Sequence, residues 1–562
     1  MSEHWDHIIV GGGAAGCVLA GRLSASSHRR VLLIEAGPDT PPNATPADIL
    51  DPYPLSYVNP AYRWPMVGHA LTAATSPANL LLQARVMGGG SSIMGMIMLR
   101  GLPLDYDGWA AQGAEGWSWA DVLPYFRKLE NDLDYSGEMH GRDGPTEIRR
   151  HPKSTWPALA LAAERYAEAS GAPYIADMNA DFRDGLGSLP IAGTTQRRAS
   201  SSISYLTSEV RARSNLRVLA ASCVLGLEYE ARRVVGVRVQ TGGETVVIRG
   251  GETILSMGAL LSPHFLLREG IGDPSQLQAR GVGVRHARSG VGENLQNHAA
   301  LLTLAHLRRP AVQARPQRNH NNAMIRYSSG AEGVGPTDMA ISIGTRVTWH
   351  AVARRLAHFS PILMAPASRG RVTLAAKGDR PCIEYNLLED ARDRQRLTDG
   401  LMRVAVMAAA PSFSNVIGPV VAASRTSHAA RFNARTTWND VRTRAIAQAL
   451  DWLPGLGDWA VGSMGEPNGR LGVLLKDGER LADFVTNNVT PLAHHAGTCR
   501  MGAPDDAAAV VDSSGRVIGM GGLRVVDASI MPTVPRGNTN LPVLMLAEKI
   551  ADAILDGAAG RA

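Results

Sequence analysis

Apolar residues along this chain change their spacing several times. His7-Ile8-Ile9-Val10 is a short continuous apolar run, the pattern of a strand covered on both faces. A glycine-rich break, Gly11 to Gly16, follows at once, and Ala15 to Leu23 then carries apolar residues at helical spacing. A second run, Val31–Ile34, ends in Glu35. Further on, Leu216–Leu219, Val234–Val239, Thr245–Ile248 and Glu252–Leu255 read as short strands, the last leading into a small-residue turn, Ser256–Ala259. From about residue 300 to 484 the pattern is different. Arg308 to Asn321, rich in Pro, Arg and Asn, predicts a mobile surface loop. β-runs and helices near Asp390–Ala409 and Trp438–Ala449 follow. Leu541 to Leu555 carries an apolar stripe that predicts a helix, with Pro542 suited to its first turn.

At 562 residues the chain exceeds what one hydrophobic core accommodates and predicts two or three domains. Its 45% hydrophobic and 19% charged residues are those of an ordinary globular protein. A net charge of +6, dispersed along the chain, excludes a nucleic-acid footprint. No apolar stretch reaches the roughly 18 residues of a membrane span. Cys17, Cys223, Cys382 and Cys499 lie far apart without metal or redox spacing. They favour a reducing compartment. The residues before the first strand lack the basic and apolar regions of a cleaved signal, so a cytoplasmic location is expected.

Strand, Gly11-x-Gly13-x-x-Gly16, helix and a second strand ending in an acid form a dinucleotide fingerprint. Glycines allow backbone amides to approach a pyrophosphate at the positive end of a helix. Glu35 suits a ribose 2′-hydroxyl and repels a 2′-phosphate, which favours FAD or NAD over NADP. A second glycine- and hydroxyl-rich loop, Gly88-Gly-Gly-Ser91-Ser92-Ile-Met94-Gly95, has no evident use around a nicotinamide. It suits closure on the edge of a bulky isoalloxazine.

With these motifs the sequence resembles the glucose–methanol–choline (GMC) flavin oxidoreductases nearly end to end. The likeness also covers Gly258–Gly272, Gly290–His298, Ser368-Arg369-Gly370 and the C-terminal stretch from Pro491 to Pro542. Within the family, the run Asp527 to Pro542 is similar to that of bacterial hydroxymethylfurfural oxidases. The resemblance implies an α/β fold, α+β overall, with a Rossmann-like FAD-binding domain from 1–155, 200–300 and 485–562. A discontinuous substrate domain built on an antiparallel sheet takes 156–199 and 301–484. It implies cofactor contacts at Gly11, Gly13, Ala14, Ala15, Gly16, Glu35 and Ala36 in the fingerprint, and at Met87, Gly88, Gly90, Ser91, Ser92, Met94, Gly95 and Met96 in the second loop. Val224, Ser256, Ala259, Asp527, Ala528, Asn538 and Thr539 complete the set, and the region Pro103–Phe126 is expected to cover the flavin. Departures are Met94 and Asn297, where relatives have Asn and Asp, and Glu269 for Ser; the last two read as surface or hinge tolerances. Ile93 stands where covalently flavinylated members have His, so FAD is expected to be non-covalent.

Oxidising an alcohol by hydride removal needs a base for the hydroxyl proton, and neutral imidazole titrates in a suitable range. The family pattern H-x-x-G-T places that base at His494, and the second active-site position at Asn538, which positions the substrate oxygen. His495 is expected to point away and be structural, and Asn540 to start the last helix. The resemblance places the motif before His298 near the cofactor, and His298 reads as a packing or hydrogen-bonding residue, with His320, His350, His358 and His428 as bystanders to the chemistry. The expected activity is FAD-dependent oxidation of an aromatic or furanic primary alcohol to the aldehyde and onward to the acid, with oxygen or a quinone as acceptor. Ala493, where the similar oxidases carry an aromatic, predicts room for bulkier alcohols. The alternatives are a choline or aliphatic-alcohol dehydrogenase, and a hydroxynitrile lyase holding FAD without redox use.

Overall fold

A computed structural model describes residues 4–314, 318, 320–376, 379–424, 434–453 and 455–559. The first apolar run is the middle of a parallel sheet. His4–Val10 lies between Val31–Ile34, itself flanked by Leu216–Leu219, and Glu244–Leu255. Leu523–Val525 adds in parallel to the end of Glu244–Leu255, bringing the C-terminal stretch beside the N-terminal fingerprint. These strands are apolar on both faces because both faces are covered; helices Ala14–Leu23 and Asn540–Ala559 pack against each other on one of them.

The runs at 245–248 and 252–255, expected as separate strands, are one strand. Gly250 and Gly251 look like a break, but residues on either side pair continuously with His4–Val10, so backbone hydrogen bonds carry the strand through. Its first half also pairs antiparallel with Arg233–Thr241.

A second, ten-stranded sheet is mainly antiparallel. Met339–Thr345 and Leu356–Leu363 lie at its centre, with Asn321–Tyr327 and Gly185–Ser188 to one side and Thr303–His306 to the other. Side chains alternate along these strands. Ile341, Ile343, Phe359 and Leu363 join a core under helices Ala158–Ala169 and Ala391–Ala408, while Ser342, His358, Ser360 and Ile362 face a large cavity. The two helices expected in this region run Ala391–Ala408 and Thr437–Trp452, and Asp390 and Thr436 accept hydrogen bonds from their first-turn amides. Part of the expected loop at 308–321 lies outside the described residues. Of the rest, Arg309–Ala311 is a single 3₁₀ turn and Asn321 already begins a strand.

A further expectation is overturned. The region Pro103–Phe126 does not cover the cofactor clefts. It folds as helices Pro103–Ala111 and Trp119–Leu129, and Tyr106, Trp109, Trp117 and Phe126 are fully buried in the sheet's core. The Trp109 indole N–H donates to the Thr533 carbonyl, so these aromatics brace the C-terminal stretch from behind. Among the described residues no helix is long and apolar enough to cross a membrane, and the four cysteines are unpaired.

Beside this layer a buried ion network closes the fold. Arg100 pairs with Glu130 at 2.6 Å, and Arg150 with Asp132 and Asp177 at 2.5 and 2.9 Å. His140 lies between Asp132 (3.1 Å) and Asp177 (2.6 Å). Glu130, Asp132 and His140 have the spacing of metal ligands, yet two guanidinium groups and an imidazolium already balance the three carboxylates. Burial alone would lower the His140 pKa; hydrogen bonds to Asp132, Asp177 and Glu130 outweigh it and raise the value to about 10. A group raised on folding stabilises fully below its unfolded pKa near 6.5, and that contribution is lost as pH climbs through about 10. Thermal unfolding should therefore move to lower temperature between pH 7 and 10. His140→Ala should destabilise at pH 7 by about 3–5 kcal/mol and flatten that alkaline limb. An unchanged slope in the variant would assign the limb to other groups.

Candidate active site

Two adjoining cavities lie where the sheets meet. The smaller, about 190 Å³, is walled by Gly11, Gly13, Ala14 and Ala15, by Glu35 and Ala36, by Val224 and Ser256, and by Asp527 and Ala528. The larger, about 660 Å³, runs between the second glycine loop and the face of the ten-stranded sheet. Ala14, Gly90 and Val543 belong to both walls, so the two cavities adjoin across these residues.

Sequence chemistry explains the smaller cavity. Gly11 has a φ of +104°, and a Cβ there would lie 2.5 Å from the Ser256 carbonyl oxygen, so only glycine permits the turn. The helix Ala14–Leu23 starts without a side-chain cap, leaving first-turn amides toward the space. Glu35 accepts from the amides of Gly12 (2.8 Å) and Gly37 (2.7 Å), which fixes its carboxylate at the strand tip while each oxygen keeps a further lone pair. Asp527 accepts from Gly258 N, Ser262 Oγ and Ser529 N, ordering two turns at once. The Ser256 hydroxyl is buried in this wall without a partner. Amides at a helix start, a carboxylate at a strand tip, an unsatisfied hydroxyl and a neighbouring cleft walled by small residues fit the diphosphate, ribose and ring of FAD.

Ser91, Met94, Gly95, Met96, His494, Asn538 and Thr539 line the larger cavity together with Gly90. Five expected contact residues line neither. Gly16 closes its helix onto Gly11, where a Cβ would lie 1.9 Å from the carbonyl oxygen. Met87 is fully buried, and Gly88 N donates to the Gly12 carbonyl at 2.7 Å, clamping the two glycine loops together. The Ser92 hydroxyl donates to Met87 O, and the Ala259 carbonyl accepts from Thr498 Oγ1. These five hold loops in place.

The loop carrying His494 is fixed on both sides. Thr490-Pro491 pairs with Ala299-Ala300, Leu492 N donates to the His298 carbonyl, and Gln296 and Ala496 exchange backbone hydrogen bonds. This places His298 against His494, with the two Nδ1 atoms 2.9 Å apart and the rings edge to face. His298 Nε2 faces the Pro535 carbonyl at 3.1 Å. A carbonyl only accepts, so His298 carries its proton on Nε2 and presents a bare Nδ1. His494 must then donate from its own Nδ1, which leaves its Nε2 unprotonated toward the cavity. Asn538 Nδ2 donates to that Nε2 at 2.9 Å. The arrangement is one-directional: amide to His494, His494 to His298, His298 to backbone. Burial lowers the His494 pKa to about 4, and burial with the neighbouring His494 holds His298 well below the usual histidine range.

His495 turns away, as an extended segment requires, and stacks on Tyr385 with its Nε2 2.7 Å from the phenol oxygen. Asn540 opens the last helix and donates to the Met98 sulfur. Asn297 is no surface tolerance: it is 2% exposed and its Oδ1 accepts from His494 N at 3.4 Å. Glu269 accepts from the Tyr229 hydroxyl at 3.0 Å. His298 has the hydrogen-bonding role expected of it, but that its partner is His494 was not visible in the sequence, because it depends on pairing with the 494–496 strip. His320 and His358 also line the cavity, as does Arg346, which no motif marked. His350 is buried elsewhere and accepts from Ala353 N, and His428 lies outside the described residues.

Residues 5–300 and 366–547 match the N- and C-terminal models of the GMC oxidoreductase family. The chain is 40% identical to the 5-(hydroxymethyl)furfural oxidase of Methylovorus sp. (strain MP688), covering 98% of both chains. It is 31% identical to an oxygen-dependent choline dehydrogenase of Vibrio vulnificus (strain YJ016), over 99% of this chain and 95% of that protein. The pyridoxine 4-oxidase of Mesorbium loti superposes with a TM-score of 0.81 at 28% identity, over 98% of this chain and 99% of that one.

With a pKa of about 4, His494 stays neutral across the neutral range. Alcohol-dependent reduction of the bound flavin should be flat from pH 8 to about 5 and fall below that as the imidazole protonates. His298→Phe, which removes the acceptor for Nδ1–H, should keep its flavin and lose about tenfold or more in reduction rate. Stopped-flow pH profiles of both proteins check this; a wild-type fall centred near 6.5 or an unimpaired variant would contradict it.

Proposed function

This chain belongs to the GMC oxidoreductase family, and from that membership we propose that it oxidises a primary alcohol, aromatic or furanic by preference, to the aldehyde and then to the acid. The observation that carries the reading is the bare Nε2 of His494, facing a large cavity beside the Asn538 amide. When bound, FAD supplies the hydride acceptor. His494 takes the hydroxyl proton, which turns a poor hydride donor into an alkoxide-like one. Asn538 cannot act as a base; the substrate hydroxyl replaces its amide as the donor to His494 Nε2, and the amide then hydrogen-bonds the substrate oxygen and holds the carbinol carbon in place. Asn538 and Thr539 stand at the start of the helix Asn540–Ala559, whose positive end favours negative charge at that spot. The aldehyde, as its hydrate, offers the same hydroxyl and C–H to the same base.

Met94, Met96, Ile97, Met324, Ile362 and Leu492 give the cavity an apolar wall suited to an aromatic ring, and thioethers favour such contacts. The small Ala493 in the same wall leaves room for bulkier alcohols. Choline is disfavoured. A trimethylammonium calls for an aromatic and acidic cage, and among the described residues this wall holds Arg346 and no carboxylate. Ile93, apolar and fully buried, offers no atom for a flavin link, which supports non-covalent FAD. The first sheet with residues 1–155, 200–300 and 485–562 is read as the FAD domain, and 156–199 with 301–484 as the substrate domain. Oxygen or a quinone serves as acceptor, and the unpaired cysteines fit the cytoplasm.

Anaerobic mixing with benzyl-type alcohols should bleach the flavin, and choline should not. His494→Ala should retain FAD and lose about 10²–10⁴-fold in the rate of bleaching. Product formation with the flavin still oxidised would instead establish non-redox, lyase-type chemistry.

A further inference from the structure

Arg346 follows the strand Met339–Thr345 with a φ of +63°, a backbone conformation that residues other than glycine rarely adopt. Its side chain is in the wall of the large cavity, and the residue is only 9% exposed. The buried Nε has no hydrogen-bond partner, and the guanidinium has no ion pair among the described residues. It lies instead over the Tyr53 ring, 4.0 Å from the centroid. The acid in this neighbourhood, Asp51, is committed to Arg318 through both its oxygens. Burial, with Arg318 and Arg354 nearby, lowers the Arg346 pKa only to about 10, so the group is a cation at neutral pH.

A buried cation without a counter-charge is costly to keep unless a ligand supplies one. The planar fork of arginine matches a carboxylate, donating two parallel N–H···O bonds to one group. The position of Arg346 says which end of a substrate would carry it. Along Leu356–Leu363, Ile362 pairs with Ala300, adjacent to the Ala299–Pro491 pairing that leads into the His494 loop. His358 pairs with Gly344, two residues before Arg346. Four residues at about 3.3 Å each put these ends of the cavity face roughly 13 Å apart. The cation therefore stands at the end of the cavity away from the base.

We propose that Arg346 forms a carboxylate subsite, so that the preferred substrates are alcohols bearing an anionic group remote from the carbinol carbon. The inference rests on the reading of this cavity as the alcohol site and adds the charge of its substrate.

The test uses the FAD-loaded enzyme and two matched pairs of different length: 4-(hydroxymethyl)benzoate with its amide, and 4′-(hydroxymethyl)biphenyl-4-carboxylate with its amide. In at least one pair, wild-type kcat/KM should favour the carboxylate by about tenfold or more. Arg346→Gln should abolish that preference, mainly through KM, with the carboxylate losing about tenfold more than its amide. Arg346→Lys should retain part of it. The non-reactive benzoate and biphenyl-4-carboxylate, followed by perturbation of the flavin spectrum, should bind more weakly to Arg346→Gln by the same factor. No carboxylate preference at either length in the wild type would overturn the subsite, as would equal losses for carboxylate and amide in the variant. If none of the four alcohols reduces the flavin, the alcohol reading fails on its own, and binding of the non-reactive carboxylates still decides for or against the subsite.

Discussion

The Pro535 carbonyl accepts a hydrogen bond from a histidine that has no access to water. That one contact sets the proton positions of the whole site. Turning a buried N–H away from its carbonyl leaves both groups unsatisfied, at a cost of about 1–3 kcal/mol. His298 is thereby an acceptor at its other nitrogen, His494 a donor toward it, and the cavity-facing nitrogen of His494 an unprotonated acceptor that receives the Asn538 amide. Three distant parts of the chain must meet for this: the 294–298 motif, the 490–498 loop and the turn before the last helix. The short pairings of Ala299-Ala300 and Gln296 with the 490s loop bring the first two together. The parallel strand Leu523–Val525 brings the third.

Burial does two opposite jobs in the same cavity. Around His494 it disfavours the imidazolium, which keeps the base ready and makes the protonated state after reaction a high-energy one. The hydrogen bond to His298 spreads that charge over a second ring without offering water a path to it. At the far end, burial leaves the Arg346 cation intact because guanidinium holds its proton far more tightly than imidazole. The cavity is therefore neutral where protons move and positive where they do not.

Much of the fold was legible because its strongest signals are local. The strand, glycine turn and helix at residues 7–23 are dictated by apolar runs and by a turn that tolerates no Cβ, and they stand where expected. Helix limits near 390 and 437 follow from capping side chains a few residues away. The misreadings share a cause in long-range packing. The runs at 245–248 and 252–255 read as separate strands because the pairing that carries the chain through Gly250 and Gly251 is to a strand more than two hundred residues earlier. The aromatics at 106–126 looked like a cofactor cover but fill a core made by the C-terminal stretch. In the site, His494 and Asn538 carry motif signatures, whereas His298 and Arg346 acquire meaning only from partners across the chain, one from a carbonyl it meets and the other from the counter-charge it lacks.

The ring-proton positions are the most direct test of the account. Long-range ¹⁵N–¹H correlation spectra of the imidazole-labelled, FAD-loaded enzyme near pH 7 would report them, with His298→Gln and His494→Gln spectra supplying the assignments. The account predicts two neutral rings of opposite tautomer: His494 with its proton on Nδ1 and a bare Nε2, and His298 with its proton on Nε2. A His494 that is protonated on Nε2, or that is an imidazolium at neutral pH, would contradict it.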